Sequence, residues 1–380
     1  MDANEIKTKI DAIDDEIAAL YLKRMSLESE IVKDSCRDVA TTDGSLVDRA
    51  TLNRVTADMP DEVKLYAKQV FDSIFNTAKA YRSRCVHLES KVKREIDEAL
   101  AKGCPPFPVS ASVACQGVAG SYAQIATDKM FGLSDILYFK DWNAVFNAVE
   151  SGLCEYGVLP IENSSVGSVN SVYDLMRKHN CYIVRSVRLR VQHYLLANAG
   201  TELDDIKEIY SHRQALEQCA EFIRGLKDVK VHVTENTASA ARGVAESGRK
   251  DVACISSRDC AGIYGLKVIM PNIQDNENNY TRFIAISKEL QVFEDSDKIS
   301  IMVNLPHEAG SLNKLLNRFS TLGLNLTKLE SRPIGNTDFE FAFYFDFEAK
   351  IARNEVRNLI AELDNECDRF VFLGSYREIM

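Results

Sequence analysis

Apolar positions recur at helical spacing through the first hundred residues. Ile6, Ile10, Ile13, Ile17, Leu20, Leu27 and Ile31 fall on a four–three repeat, the seam of a coiled-coil-type helix. Arg24 takes the slot between Leu20 and Leu27. A cation on such a seam is costly unless an anion or solvent meets it. Arg24 therefore either pairs with a carboxylate on a neighbouring helix or faces a bound dicarboxylate. A second short helix is predicted over 46–57. A third starts after Pro60, a good first-turn residue, and carries Val63, Val70, Ile74, Tyr81, Leu88 and Val92 on one side. It runs on toward Leu100 until Gly103-Cys104-Pro105-Pro106-Phe107-Pro108 stops it and forms a linker.

From 109 to 288 short apolar runs alternate with helical stretches, which implies an α/β domain. Strands are predicted at 113–115, 136–139, 157–161, 182–189, 190–196, 206–210, 229–233, 252–255 and 284–286. The blocky run Gly157-Val158-Leu159-Pro160-Ile161 has the look of a strand covered on both faces. It ends in Glu162, Asn163, Ser164 and Ser165, with Gly167 free to turn, before a helix carrying Val169, Val172, Leu175 and Met176. Polar groups at the carboxyl end of such a strand are where open α/β sheets bind ligands; a plain serine-capped turn has the same outline. Gly117, Gly120, Ser121 and Tyr122 follow an earlier strand, with Ser121 placed to cap a helix through Met130 whose exposed amides would attract a carboxylate. Ser211-His212-Arg213-Gln214 and Thr234-Glu235-Asn236-Thr237 open two further helices, and Asn279-Tyr280-Thr281-Arg282-Phe283 leads into a strand. A histidine at a helix start is more often structural than a base, and Arg282 could be a plain surface cation. From 294 on the order is strand, helix, strand, strand, helix, strand, the ferredoxin-like βαββαβ pattern.

At 380 residues, two or three domains are expected. A net charge of -10 argues against nucleic acid or an anionic membrane as main partner, but not against a small anion met by local arginines. No apolar run is long enough to span a bilayer and the start lacks a signal core. The 10 cysteines are scattered without paired Cys-x-x-Cys sets, so they are read as reduced cytosolic thiols, with Cys115, Cys181, Cys219 and Cys254 in the core and no metal site.

Pro160-Ile161-Glu162-Asn163-Ser164 with Gly167 and Asp174-Leu175, the Gly-x-x-Gly-Ser-Tyr start ending at Ser121-Tyr122, the Ser-His-x-Gln run with Arg213 in the family's proline position, and Thr281-Arg282-Phe283 together resemble prephenate dehydratases. Extended over nearly the whole chain, the resemblance is to the bifunctional chorismate mutase/prephenate dehydratase with a C-terminal ACT domain. It implies a multidomain α and α/β protein: an all-helical mutase-like domain over 1–102, usually an intertwined dimer; a two-lobed dehydratase domain over 109–288, of the periplasmic-binding-protein kind; and a regulatory ACT domain over 294–380.

By the same resemblance prephenate loses carbon dioxide and water to give phenylpyruvate, without cofactor or metal. Thr281, Arg282 and Glu162 are the candidate catalytic groups. Thr281 would donate a hydrogen bond to the leaving oxygen, Arg282 would clamp a carboxylate or tie the lobes, and Glu162 would be the proton source if burial raised its pKa. Ser121, Tyr122, Asn163, Ser164, His212, Gln214, Thr237 and Phe283 are the candidate substrate-binding residues. In the mutase-like part Lys7 stands where arginine is expected and Asp48 where an Arg-Glu pair is expected, leaving either a weakened or lost site, or a pocket for chorismate rebuilt from Lys7, Arg24, Lys33 and Arg82. Gly310, Leu312, Glu330, Ser331 and Arg332 match ACT motifs, which implies L-phenylalanine as feedback effector. A cytoplasmic homodimer or homotetramer is implied, with a non-catalytic amino-acid sensor as the rival and arogenate as the alternative substrate.

Overall fold

The computed structural model describes residues 2–34, 44–85, 88–308, 310–333 and 341–380; side chains at 31–34, 44–49 and 83–85 lie outside it. Two compact units are present: Met1–Asp97 with Ile301–Val371, and Glu98–Ser300 with Phe372–Met380.

The chain opens with α1 (Ala3–Asp34), α2 (Gly44–Val55), α3 (Asp61–Cys85) and α4 (Lys91–Ala101). The predicted third helix is thus two. Ser90 is the reason: its Oγ accepts from the Lys93 amide at 3.1 Å and its carbonyl from Arg94, so it caps a new start. α1 and α3 meet through Tyr21, whose hydroxyl donates to Thr77 Oγ1 at 2.9 Å. The four–three stripe of α1 finds no cover within the described chain: Ile6, Ile10, Ile13, Ile17, Leu20 and Leu27 are 45–67% exposed.

In the second unit β1 (Ser110–Gln116), α5 (Tyr122–Met130), β2 (Leu133–Phe139), α6 (Trp142–Glu150), β3 (Tyr156–Asn163), β4 (Gly167–Ser168), α7 (Asn170–Lys178) and β5 (Tyr182–Arg190) build a first lobe. A second lobe follows: β6 (Tyr194–Ala197), β7 (Glu208–His212), α8 (Arg213–Glu217), α9 (Ala220–Gly225), β8 (Lys230–Thr234), α10 (Thr237–Ser247), β9 (Val252–Ser256), α11 (Asp259–Tyr264) and β10 (Lys267–Met270). The chain then returns to the first lobe as β11 (Tyr280–Ser287), so two crossings join the lobes. The remaining elements are β12 (Lys298–Leu305), α12 (Ser311–Thr321), β13 (Asn325–Pro333), β14 (Phe341–Glu348), α13 (Asn354–Glu366), β15 (Arg369–Tyr376) and β16 (Glu378–Ile379).

Three sheets result. The first has order β16-β5-β11-β3-β1-β2 with β4 on β3, the second β10-β6-β9-β7-β8, and the third β13-β14-β12-β15. In the third, the βαββαβ element order is the one expected. The first sheet packs one face on α5, where Val113, Cys115, Val158, Val187, Leu189, Phe283 and Ala285 form a core with Ala123, Ala126 and Met130. Gly157 lets α6 close on the other face, for a Cβ there would stand 2.8 Å from Val145. Cys115, Cys181, Cys219 and Cys254 are buried, as expected. The strand expected over 190–196 shrinks to 194–197, because 191–193 is the first crossing. Neither β10 nor β16 was expected.

Candidate functional site

β3 runs two residues past Ile161, so Glu162 and Asn163 are strand residues and their side chains alternate. The register with β11 pairs Thr281 with Asn163 and Arg282 with Glu162. Thr281 and Asn163 therefore share the α5 face, while Arg282 and Glu162 share the opposite one.

Asn163 is 7% exposed and organises its surroundings. Its Oδ1 accepts from the backbone amides of Ser165 at 3.0 Å and Val166 at 3.1 Å. Those partners can only donate, which settles the amide's orientation. Its Nδ2 accordingly donates to Thr281 Oγ1 at 2.8 Å and to Asn279 Oδ1 at 2.9 Å, with Tyr280 O at 3.3 Å. Asn279 must then donate from Nδ2 to Gln218 Oε1, at 3.0 Å, and Gln218 Oε1 also receives His193 Nε2 at 2.9 Å. The chain of bonds thus has one direction, and His193 carries its proton on Nε2. Burial pushes the His193 pKa down, so the ring is neutral, although the Gln218 bond works the other way. With one lone pair of Thr281 Oγ1 taken by Asn163, its own hydrogen is available to donate elsewhere. Asn279, Gln218 and His193 were not among the candidates; they sit at and beyond the two crossings, and no local motif marks them as partners.

Ser121 caps α5, its Oγ accepting from the Gln124 amide at 3.4 Å. Tyr122 spans the lobes, donating to Gln192 O at 2.5 Å. Gly120, at φ +83°, lies against α11, where Cys260 Sγ would stand 2.6 Å from a Cβ. Ser257 and Tyr264 donate to the carbonyls of Gly120 and Ala119. Across from this turn α10 is capped by Asn236 in a reciprocal capping box with Ser239, and Thr237 is its first helical residue. The Asn236 amide nitrogen would be 3.9 Å from a Cβ at Gly117, so the capped starts of α5 and α10 come together. His212 caps α8 through Nδ1, which accepts from the Gln214 amide at 3.4 Å; burial lowers its pKa. Val166, His212, Arg213, Gln214, Glu217, Val233, Thr234 and Glu235 line a cavity of about 390 Å³ between the lobes.

Other candidates stand differently. Ser164 ties the end of β3 to the second crossing, donating to Asn278 O and accepting from the Tyr280 amide, both at 2.9 Å. Phe283 is a core residue. Glu162 is not buried; its side chain is 38% exposed and 4.0 Å from Arg282 Nη1. Arg282 is buried and ion-paired to Glu378 at 2.6 Å, with its Nη2 donating to Tyr376 at 2.6 Å. It ties strands of the first lobe on the face away from Thr281.

In the first unit Arg24 and Arg82 come together on one buried carboxylate, Glu28, each at 3.1 Å. The partner of Arg24 is thus on its own helix, four residues on, and α3 supplies a second arginine. Lys7 lies 17 residues before Arg24 on α1, about 26 Å away at the helical rise. The side chains of Lys33 and Asp48 lie outside the described residues. Gly310 precedes α12 at φ +91°, with Leu312 in its first turn. Glu330, Ser331 and Arg332 pair with Tyr344, Phe343 and Ala342 at the end of β13.

Comparison with known proteins bears on this site. The prephenate dehydratase family model matches residues 113–291, which include every element of the Thr281–His193 network. An arogenate dehydratase/prephenate dehydratase from Arabidopsis thaliana is 37% identical over 70% of this chain and 72% of its own length. The bifunctional chorismate mutase/prephenate dehydratase of Escherichia coli is 32% identical over 71% of each chain. Among solved structures, a prephenate dehydratase from Arthrobacter aurescens, in complex with L-Phe, is 28% identical with a TM-score of 0.63, over 70% of this chain and 89% of that one. The chain belongs to the prephenate dehydratase family and is a lyase of the prephenate/arogenate dehydratase type.

Proposed function

We propose that the cleft between the two lobes of the second unit converts prephenate to phenylpyruvate, with Thr281 donating to the departing hydroxyl. The observation that carries this is the one-directional network ending on Thr281 Oγ1. In the reaction the electron pair of the bond to the ring carboxylate moves into the ring, carbon dioxide is released, and the ring hydroxyl departs on the Thr281 hydrogen bond and takes up one proton from solvent to leave as water. The hydroxyl needs a donor as it departs, and a donor fixed in advance costs no reorganisation. The paired amide starts of α5 and α10, with Ser121 and Thr237, suit the substrate's carboxylates. Arg213, Gln214 and His212 stand on the cavity wall to receive the side chain, whose keto group in prephenate is an amino group in arogenate.

The βαββαβ segment over 294–380 is read as an ACT domain that binds L-phenylalanine and feeds back on the reaction, supported by Glu330-Ser331-Arg332-Pro333 and by the family's Phe-bound relative. The helical segment over 1–102 is read as a chorismate mutase-like domain that pairs with a second copy. The exposed stripe on α1 supports this. So does the distance of Lys7 from Arg24, which lets Lys7 join a cationic pocket only from another chain. Arg24 and Arg82 already share Glu28, so a weakened or lost mutase site is favoured. The buried unpaired thiols suit a reducing, cytoplasmic setting.

Chorismate, prephenate and arogenate supplied in separate tubes test these points. Phenylpyruvate from prephenate with chorismate untouched is expected. Chorismate loss above the uncatalysed rate would show that the pocket is rebuilt. Inertness toward prephenate and arogenate alike would favour the sensor.

A further inference from the structure

The register of the first sheet puts two arginines side by side. Arg282 of β11 lies directly opposite Arg188 of β5, on the face away from Thr281. Like charges so placed repel. One carboxylate joins them: Glu378 of β16 meets Arg282 Nε at 2.6 Å and Arg188 Nη2 at 2.9 Å, and takes Lys298 Nζ at 3.0 Å as well. Tyr376, two residues before β16, accepts from Arg282 Nη2 and bonds Ser300 Oγ at 2.7 Å. Burial alone would raise the Glu378 carboxyl, but Arg282, then Lys298 and Arg188 hold it below the usual carboxylate range, so the tie is charged at neutral pH.

β16 is built to bring that carboxylate there. It pairs parallel with β5, Glu378 beside Ser186 and Ile379 beside Val187, and covers the edge of the sheet. Arg377 O accepts from the Ser186 amide at 3.0 Å. Gly374 lies so close to the Ile183 backbone that a Cβ would collide with the Ile183 carbonyl.

The neighbouring residue on β11 is Thr281, and the ladder to β3 shifts register between Arg282 and Phe283. The extra residue there is Ile161 of β3, and a bulged strand bends most readily, so the β3–β11 ladder yields at this point. Repulsion between Arg282 and Arg188 would be relieved there, moving Thr281 relative to Asn163. We infer that Glu378 is a positioning residue of the dehydratase: by joining Arg282 to Arg188 it holds β11 in the register that keeps the Thr281 hydroxyl on Asn163. This rests on the dehydratase assignment. It also makes residues after β15 part of the catalytic lobe, and gives the βαββαβ segment a covalent route to the site.

The test compares kcat and KM for prephenate, with melting temperature, in the wild type, Glu378→Gln and Glu378→Gln/Arg188→Gln. A misplacement of about 1 Å costs about 100-fold in rate. Glu378→Gln is therefore expected to lower kcat by about 10- to 100-fold while KM changes little, in protein still folded at the assay temperature. Removing the opposed arginine in the double variant relieves the repulsion and is expected to recover much of the loss. A Glu378→Gln kcat within about threefold of the wild type would overturn the inference. So would a loss that the double variant fails to relieve. A wild type inert toward prephenate and arogenate would instead overturn the dehydratase assignment.

Discussion

The direction of the hydrogen-bond network can be reversed by one isosteric change. Asn163→Asp keeps the side-chain shape and the oxygen that receives the Ser165 and Val166 amides. The nitrogen that donated to Thr281, Asn279 and Tyr280 O becomes an oxygen. Facing acceptors at 2.8 and 2.9 Å, it forces both partners to turn. Thr281 then points its hydrogen at the new carboxylate, not at the substrate. Asn279 flips to donate, which sets its Oδ1 against Gln218 Oε1 at 3.0 Å, so Gln218 flips as well. Gln218 then presents a donor to His193, and the imidazole proton moves from Nε2 to Nδ1. Tyr280 O at 3.3 Å cannot adapt; it keeps the Ser164 amide at 2.8 Å but now faces a carboxylate oxygen, a repulsion that lowers stability. Loss of one donor to a developing oxyanion costs about 100- to 1000-fold in kcat. Phenylpyruvate formation under saturating prephenate measures the rate, and histidine ¹⁵N spectra report the His193 tautomer. A kcat within about threefold of the wild type, or a His193 still protonated on Nε2, would refute the assigned direction.

Other outcomes follow from the same geometry. Gly120→Ala combines a left-handed φ with a methyl 2.6 Å from Cys260 Sγ, so it should lower the melting temperature by an amount equivalent to about 1–3 kcal/mol; an unchanged melt would show that the lobes yield there. His193 is held neutral when folded but takes a proton near pH 6.5 when unfolded. Its contribution to stability is therefore complete above about pH 6.5 and is lost as pH falls below it; His193→Gln should flatten that part of a melting-temperature profile, and an equal slope in both proteins would count against it. L-phenylalanine should raise the melting temperature and lower the dehydration rate, and Arg332→Ala should weaken both effects; indifference to phenylalanine would remove the effector.

Much of the fold was legible because its signals are local. The four–three repeat marked α1, Ser121 marked the start of α5, and the βαββαβ order showed in alternating runs. The site was legible mainly as polar residues gathered on strand ends. What the motifs hid was direction. Glu162 and Asn163 are neighbours in sequence, as are Thr281 and Arg282, so each pair reads as one cluster. Strand alternation separates them onto two faces, and only a strand continued through residue 163 makes that visible. The Asn279–Gln218–His193 links join positions up to 86 residues apart across two crossings, which no local pattern records. β16 is two residues long, too short for any periodicity, yet it carries the carboxylate that Arg282 needs. The break before α4 turned on a single serine whose capping outweighs a continuing apolar stripe.

The central claim is that Thr281, held by Asn163, donates to the hydroxyl that leaves. Single-turnover dehydration of prephenate by Thr281→Ala, beside Thr281→Ser and the wild type, tests it most directly. Serine keeps the oxygen and should retain most of the rate. Alanine should lose about 100- to 1000-fold in the chemical step with substrate still bound. Near-normal turnover by the alanine variant would contradict the account.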